Sequence, residues 1–135
     1  MSLKEKIFPA EDEELENVIG FIQDELEKTT CNMKLMNKIA IITEEIFVNI
    51  AHYAYKDKEG TVNVGVFADN SKLVVRFRDR GKPFDPLAKS DPDITLSAED
   101  RNIGGLGIFM VRKMADDIKY EYVNRQNVLT LIKNL

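Results

Sequence analysis

Residues 39–55 read IAIITEEIFVNIAHYAY, and the spacing of their apolar side chains decides the fold. Ile39, Ile42, Ile46, Ile50 and Tyr53 recur at intervals of three and four, the stripe of a core-facing helix, and the pattern predicts a helix from Met33 to Tyr55. Ile41, Phe47 and Val48 add apolar side chains on other faces, so this helix is expected to be central and buried. Polar groups in such a helix are costly unless they have partners. Glu45 and Asn49 are such groups: four residues apart, they project from one strip, which His52 continues.

Outward from this helix, Glu11 to Thr30 reads as an amphipathic helix with Leu15, Val18, Ile19, Ile22 and Leu26 on one face. Leu3 to Pro9 is short and ends at proline, as an edge strand would. Beyond the central helix, Thr61 to Ala68 and Leu73 to Asp79 alternate with period two around the turn residues Asp69-Asn70-Ser71, the pattern of a β-hairpin. Arg80 to Ile103 carries three prolines and no period, and is expected to be a long loop, with a lid over about 87–103. A third helix is expected from Gly107 to Ala115. A second hairpin comes next, with strands Lys119 to Val123 and Val128 to Ile132 around a turn at Asn124-Arg125-Gln126-Asn127. The fold class is therefore α+β, a two-layer sandwich with three helices on one face of a mixed, mostly antiparallel sheet. At 135 residues, one domain over 1–135 is expected.

Bulk properties exclude several functions. A formal charge of -4 without a basic stripe argues against a protein that works by neutralising nucleic-acid phosphates. A single cysteine, Cys31, rules out an intramolecular disulfide and fits a reducing compartment. The first residues lack the apolar run of a signal peptide, and Ile39 to Tyr55 is too often interrupted by polar residues to span a membrane. A cytoplasmic protein is expected.

Three stretches carry chemistry. An Asn49 side-chain oxygen is a suitable hard ligand for Mg²⁺, and a carboxylate one turn away at Glu45 can orient a hydroxyl or water; equally, both can simply face solvent. Asp79-Arg80-Gly81-Lys82-Pro83-Phe84-Asp85-Pro86 comes directly after a strand. A carboxylate held there can accept the exocyclic amine of adenine, and Gly81 lets backbone approach a flat base, although Asp and Gly are also ordinary turn formers. Gly104-Gly105-Leu106-Gly107 opens a helix, where backbone N–H groups can meet phosphate oxygens, or where glycines can serve as a hinge. Neither the dinucleotide fingerprint nor the P-loop has this spacing. His52 is expected to pack or hydrogen-bond rather than accept phosphate.

Taken together, these stretches resemble the motifs of the GHKL (Bergerat-fold) ATPases, and specifically the anti-sigma factor or switch-protein serine kinases. Glu45 with Asn49 resembles the N-box, Asp79 to Pro86 the G1 box, and Gly104 to Ile108 the G2 box. The resemblance implies ATP and Mg²⁺ as cofactors. Asn49 would hold the metal, and Glu45 would be the catalytic residue, as base or orienting carboxylate. Asp79 would read the adenine amine with Gly81 beneath the base, Gly105 and Gly107 would meet the phosphates, and Phe84, Gly104 and Leu106 would belong to the same cofactor site. Arg101 would contact the γ-phosphate, and Thr130 would support the adenine-binding aspartate. Two departures stand out. Tyr53 occupies the place where relatives carry histidine four residues after the asparagine, and the lid is acidic (Asp91, Asp93, Glu99, Asp100). The implied function is a protein serine kinase that phosphorylates a STAS-type anti-anti-sigma partner and sequesters a sigma factor, with a homodimer possible. The alternatives are a nucleotide-binding interaction module without phosphotransfer and a histidine-kinase-type domain acting in trans.

Overall fold

Alternating apolar side chains produce a five-stranded sheet whose inner face is covered by three helices. The computed structural model describes residues 2–30, 32–55, 59–88 and 105–135. Strands β1 (Lys4–Pro9), β2 (Thr61–Ala68), β3 (Lys72–Asp79), β4 (Asp117–Val123) and β5 (Gln126–Asn134) lie in the order β1-β2-β3-β5-β4. All four pairings are antiparallel, so the α+β sandwich is as expected and its sheet has no parallel pair among the described residues. Period two puts Val62, Val64, Val66, Leu73, Val75, Phe77, Leu129 and Leu131 on the buried face. The proline-terminated β1 is indeed an edge strand, where a missing N–H costs least.

Helix α1 (Leu15–Glu27) buries Val18, Ile22 and Leu26, and a 3-10 turn at Asp12–Glu14 precedes it. Helix α2 (Met33–Asn49) is capped by Asn32, whose side chain accepts a hydrogen bond from the Leu35 N–H at 3.1 Å. It packs against α1, and against α3 (Gly105–Met114). Burial of α2 is narrower than its composition implies: Met36, Ile39, Ile42, Thr43, Ile46 and Phe47 are buried, whereas Ile41 is 48% exposed. Membership of the core is set by the face turned to the sheet, not by apolarity alone.

Two boundaries differ from expectation, and both matter for the site. The regular helix stops at Asn49, and Ile50–Ala54 forms a π-helical turn. This turn accommodates one extra residue and rotates the residues after Asn49 off the Glu45–Asn49 strip. His52 accordingly does not continue that strip; its Nε2 pairs with Asp12 Oδ1 and Oδ2, each at 2.8 Å, tying the π-helical turn after α2 to the 3-10 turn before α1. At the other boundary, the second hairpin turns on Asn124 and Arg125 alone, with φ of 53° and 62°, as a two-residue type I′ turn requires. Asn127 thereby belongs to β5, opposite Asp79.

Candidate functional site

The register of β3 against β5 builds one wall of the site, and the end of α2 builds the other. Between them lies an open cleft lined by Asn49, Tyr53, Asp79, Phe84 and Asn127, together with the apolar side chains of Ile46, Ile50, Phe77 and Leu129 and the ring of Tyr120. An apolar slot with a few converging polar groups is the usual form of a small-molecule site. Asn49 and Asp79, thirty residues apart in sequence, thus face one cavity.

Asp79 is 5% exposed, and burial is the main reason its carboxyl is held above the ordinary value of 3.8. Its Oδ1 accepts from the Gly81 N–H at 2.9 Å and from Asn127 Nδ2 at 3.0 Å. No hydrogen bond to Oδ2 occurs among the described residues, which leaves one carboxylate oxygen with its acceptor capacity intact. Gly81 has a role beyond the turn: a Cβ there would lie 2.3 Å from the Ala54 carbonyl oxygen, and the neighbouring Lys82 N–H bonds that oxygen at 3.0 Å. The close approach that demands glycine is therefore to the end of the π-helical turn.

Asn127 is the residue that sequence reasoning missed. Besides Asp79 its Nδ2 donates to the Lys82 carbonyl at 2.9 Å, and its Oδ1 accepts from the Phe84 N–H at 3.1 Å and from the Tyr120 hydroxyl. It ties the base of the 79–84 turn to β5 and β4. The supporting role assigned to Thr130 does not hold. Thr130 pairs with Arg76 and Lys119 three residues further along β5, and strand alternation turns it to the sheet face opposite Asn127, Leu129 and Leu131. A two-residue reading of the Asn124-Arg125 turn was the available signal. Asn127→Ala should strand buried donors and acceptors and destabilise the protein by about 2–3 kcal/mol, measurable as a lowered urea midpoint.

Across the cavity, Asn49 Nδ2 donates to Glu45 Oε1 at 3.2 Å. That bond sets the amide so that Asn49 Oδ1 remains an acceptor. Glu45 is half-buried, and burial, opposed by the Asn49 hydrogen bond, pushes its carboxyl above the ordinary 4.5. Glu45 does not line the main cavity but borders a second hollow between α2 and α3, beside Val48, Met110 and Met114. Tyr53 lines the main cleft. No cluster of three or more His, Cys, Asp or Glu side chains suited to a metal occurs among the described residues. A lone Asn oxygen accords with Mg²⁺, which takes most of its ligands from water and phosphate.

Gly105 and Gly107, with Leu106 between them, form the first turn of α3, which begins two residues earlier than expected. Arg101, Gly104 and the stretch beyond Ala88 that is expected to form a lid lie outside the described residues, as does Cys31. Pro86–Ala88 forms a 3-10 turn, and Arg112 of α3 donates to the Leu87 carbonyl. No helix among the described residues is long and apolar enough to cross a membrane.

A helix-covered antiparallel sheet with an apolar cleft between α2 and the β3–β5 pair, lined by an asparagine and an aspartate, accords with an ATPase-type fold. The chain matches the histidine kinase-like ATPase domain family over residues 8–133 and belongs to it. It is 33% identical over 89 residues to the serine-protein kinase RsbW of Listeria monocytogenes, an alignment that takes in 62% of this chain and 57% of the relative. To the serine-protein kinase RsbW of Bacillus cereus it is 29% identical over 117 residues, covering 84% of this chain and 67% of the relative. The chain thus spans little more than half the length of the Listeria protein. The histidine kinase AdeS of Acinetobacter baumannii shares the fold, with a TM-score of 0.50 at 15% identity over 99% of this chain and 68% of that one.

Proposed function

We propose that this chain is an ATP- and Mg²⁺-dependent protein serine kinase that phosphorylates a STAS-type anti-anti-sigma partner and sequesters a sigma factor. One observation carries the reading: Glu45, a carboxylate whose affinity for a proton is raised by burial, accepts a hydrogen bond from Asn49, and Asn49 faces the same cleft as Asp79. Adenine would enter the apolar slot and give its exocyclic N–H to Asp79 Oδ2. The triphosphate would run toward Asn49 and the glycines that open α3. The serine oxygen attacks the γ-phosphorus, the bond to the β-phosphate bridging oxygen breaks, and ADP leaves. Glu45 aligns the serine hydroxyl and takes its proton, a task for which a raised carboxyl is suited. Mg²⁺ bound by Asn49 Oδ1 would supply charge neutralisation on the phosphates. The kinship with two serine-protein kinases supports transfer to a protein hydroxyl.

The test is incubation with γ-labelled ATP and purified STAS-domain proteins from the same organism. Label should appear on a serine of one of them, only with Mg²⁺, and should be stable to acid. A partner that binds yet stays unlabelled would make the chain a nucleotide-dependent holding module, and acid-labile label would make it a histidine-kinase-type enzyme.

A further inference from the structure

The turn that carries Asp79 is held from two sides, and only the inner side belongs to the network of Asn127. On the outer side stands Tyr55, the residue immediately after the π-helical turn. Its hydroxyl accepts a hydrogen bond from the Arg80 N–H at 2.9 Å and donates one to the Thr61 carbonyl at 2.5 Å. A single oxygen therefore joins the end of the π-helical turn, the start of β2 and the residue after Asp79. The neighbouring Ala54 carbonyl receives the Lys82 N–H at 3.0 Å, so residues 54–55 and 80–82 are fastened at two successive points. The Tyr55 ring is equally confined: a Cβ at Gly60 would lie 2.3 Å from its Cδ2 and Cε2, so no larger residue fits at 60 without displacing it. Burial is the main cause that raises the Tyr55 phenol above 10.0, which keeps the hydroxyl protonated and able to donate and accept at once.

We infer that Tyr55 is a specificity-determining positioning residue: by bonding Arg80 N–H and Thr61 C=O it fixes where the Asp79 carboxylate stands relative to Asn49, and so sets the preference for adenine over guanine. The inference rests on the proposed reading of adenine by Asp79. Tyr55 does not line the cavity, so it acts through the turn and not by touching ligand. Its nearest alternative is a merely structural role, in which its loss softens the whole protein and weakens every nucleotide alike.

Calorimetry with ATP and GTP on the wild-type chain, Tyr55→Phe and Gly60→Ala separates these. The phenylalanine variant keeps the ring and loses the hydroxyl, whereas the alanine at 60 keeps the hydroxyl and displaces the ring. Both should weaken ATP about tenfold, the scale of one lost hydrogen bond in a positioned site, while GTP, held by its triphosphate alone, stays within about twofold. Equal losses for ATP and GTP in both variants, or no change in either, would overturn the inference. Should Tyr55→Phe not fold, the ATP-to-GTP ratio of Gly60→Ala decides alone. A wild-type chain that binds the two nucleotides equally removes the adenine reading itself, and with it this inference. A wild-type preference retained in full by both variants removes only the inference.

Discussion

Glu45→Gln is expected to bind ATP within about threefold of wild type and to transfer phosphate about 1000-fold more slowly, the scale of a lost general base. The variant isolates one function. Glutamine keeps an oxygen that can accept from Asn49 Nδ2, the bond that sets the Asn49 amide, so the cavity is preserved. The proton acceptor alone disappears. Glu45→Ala should show the same collapse of transfer, with a further loss of affinity, because the Asn49 amide is then free to turn over. A pH profile adds an independent check. The base works when ionised, and burial raises its pKa above 4.5. The acid limb of the rate should therefore fall at a higher pH than an ordinary glutamate would give, and vanish in Glu45→Gln. Normal transfer by Glu45→Gln would show that the carboxylate is not the base.

Asp79→Asn should do the reverse to binding and something less obvious to stability. An asparagine can still offer Oδ1 to the Gly81 N–H and to Asn127 Nδ2, the two contacts that hold the native carboxylate. Its other atom becomes a donor facing the donor amine of adenine, so ATP affinity should fall roughly 100-fold, as for a charged hydrogen bond lost and replaced by a clash of donors. GTP should be spared. For stability the sign depends on burial. The folded-state carboxyl lies above its unfolded value, so its stabilising contribution is fully present below pH 3.8 and is lost as pH rises through the folded value. At neutral pH the ionised group opposes folding. Removing the charge should therefore raise the melting temperature of the nucleotide-free protein, by about 3 °C per kcal/mol for a chain of this size. A variant that melts lower while still binding ATP would contradict both parts of the argument. The wild type should also lose ATP affinity on acidification sooner than an ordinary aspartate would dictate.

Legibility in the sequence tracked the range of the physics involved. Patterns with a short period were readable because they depend on neighbours a few residues away. The Val62-Val64-Val66 alternation and the Val18-Ile22-Leu26 stripe place β2 and α1 without reference to anything distant. The proline at the end of β1 likewise announces an edge. Glu45 and Asn49 were readable as a pair because a helix puts i and i+4 together whatever surrounds it.

Errors arose where a local choice is settled by remote contacts. The π-helical turn at Ile50–Ala54 has no period of its own, and it decides that His52 meets Asp12 while Tyr53 faces the cavity. Thr130 and Asn127 are both polar residues near the end of the chain. Only the register of β5 on β3, pinned by the two-residue turn at Asn124-Arg125, selects Asn127 as the partner of Asp79. A shift of one residue in a strand exchanges its two faces, so a misplaced turn reassigns every side chain beyond it.

By itself, then, the amino-acid order determined which segments are helix and strand, that the helices share one side of the sheet, and which three stretches bear polar chemistry. Those outcomes rest on backbone geometry and on apolar surface avoiding water, forces that act within a few residues or without direction. Tertiary structure alone decided that the carboxamide at 49 and the carboxylate at 79 face one cleft, that Asn127 and Tyr55 clasp the turn between them, and which oxygen of Asp79 takes up the Gly81 and Asn127 hydrogen bonds. Hydrogen bonds are directional over about 3 Å, and only the packed chain brings residues so distant in sequence within that reach.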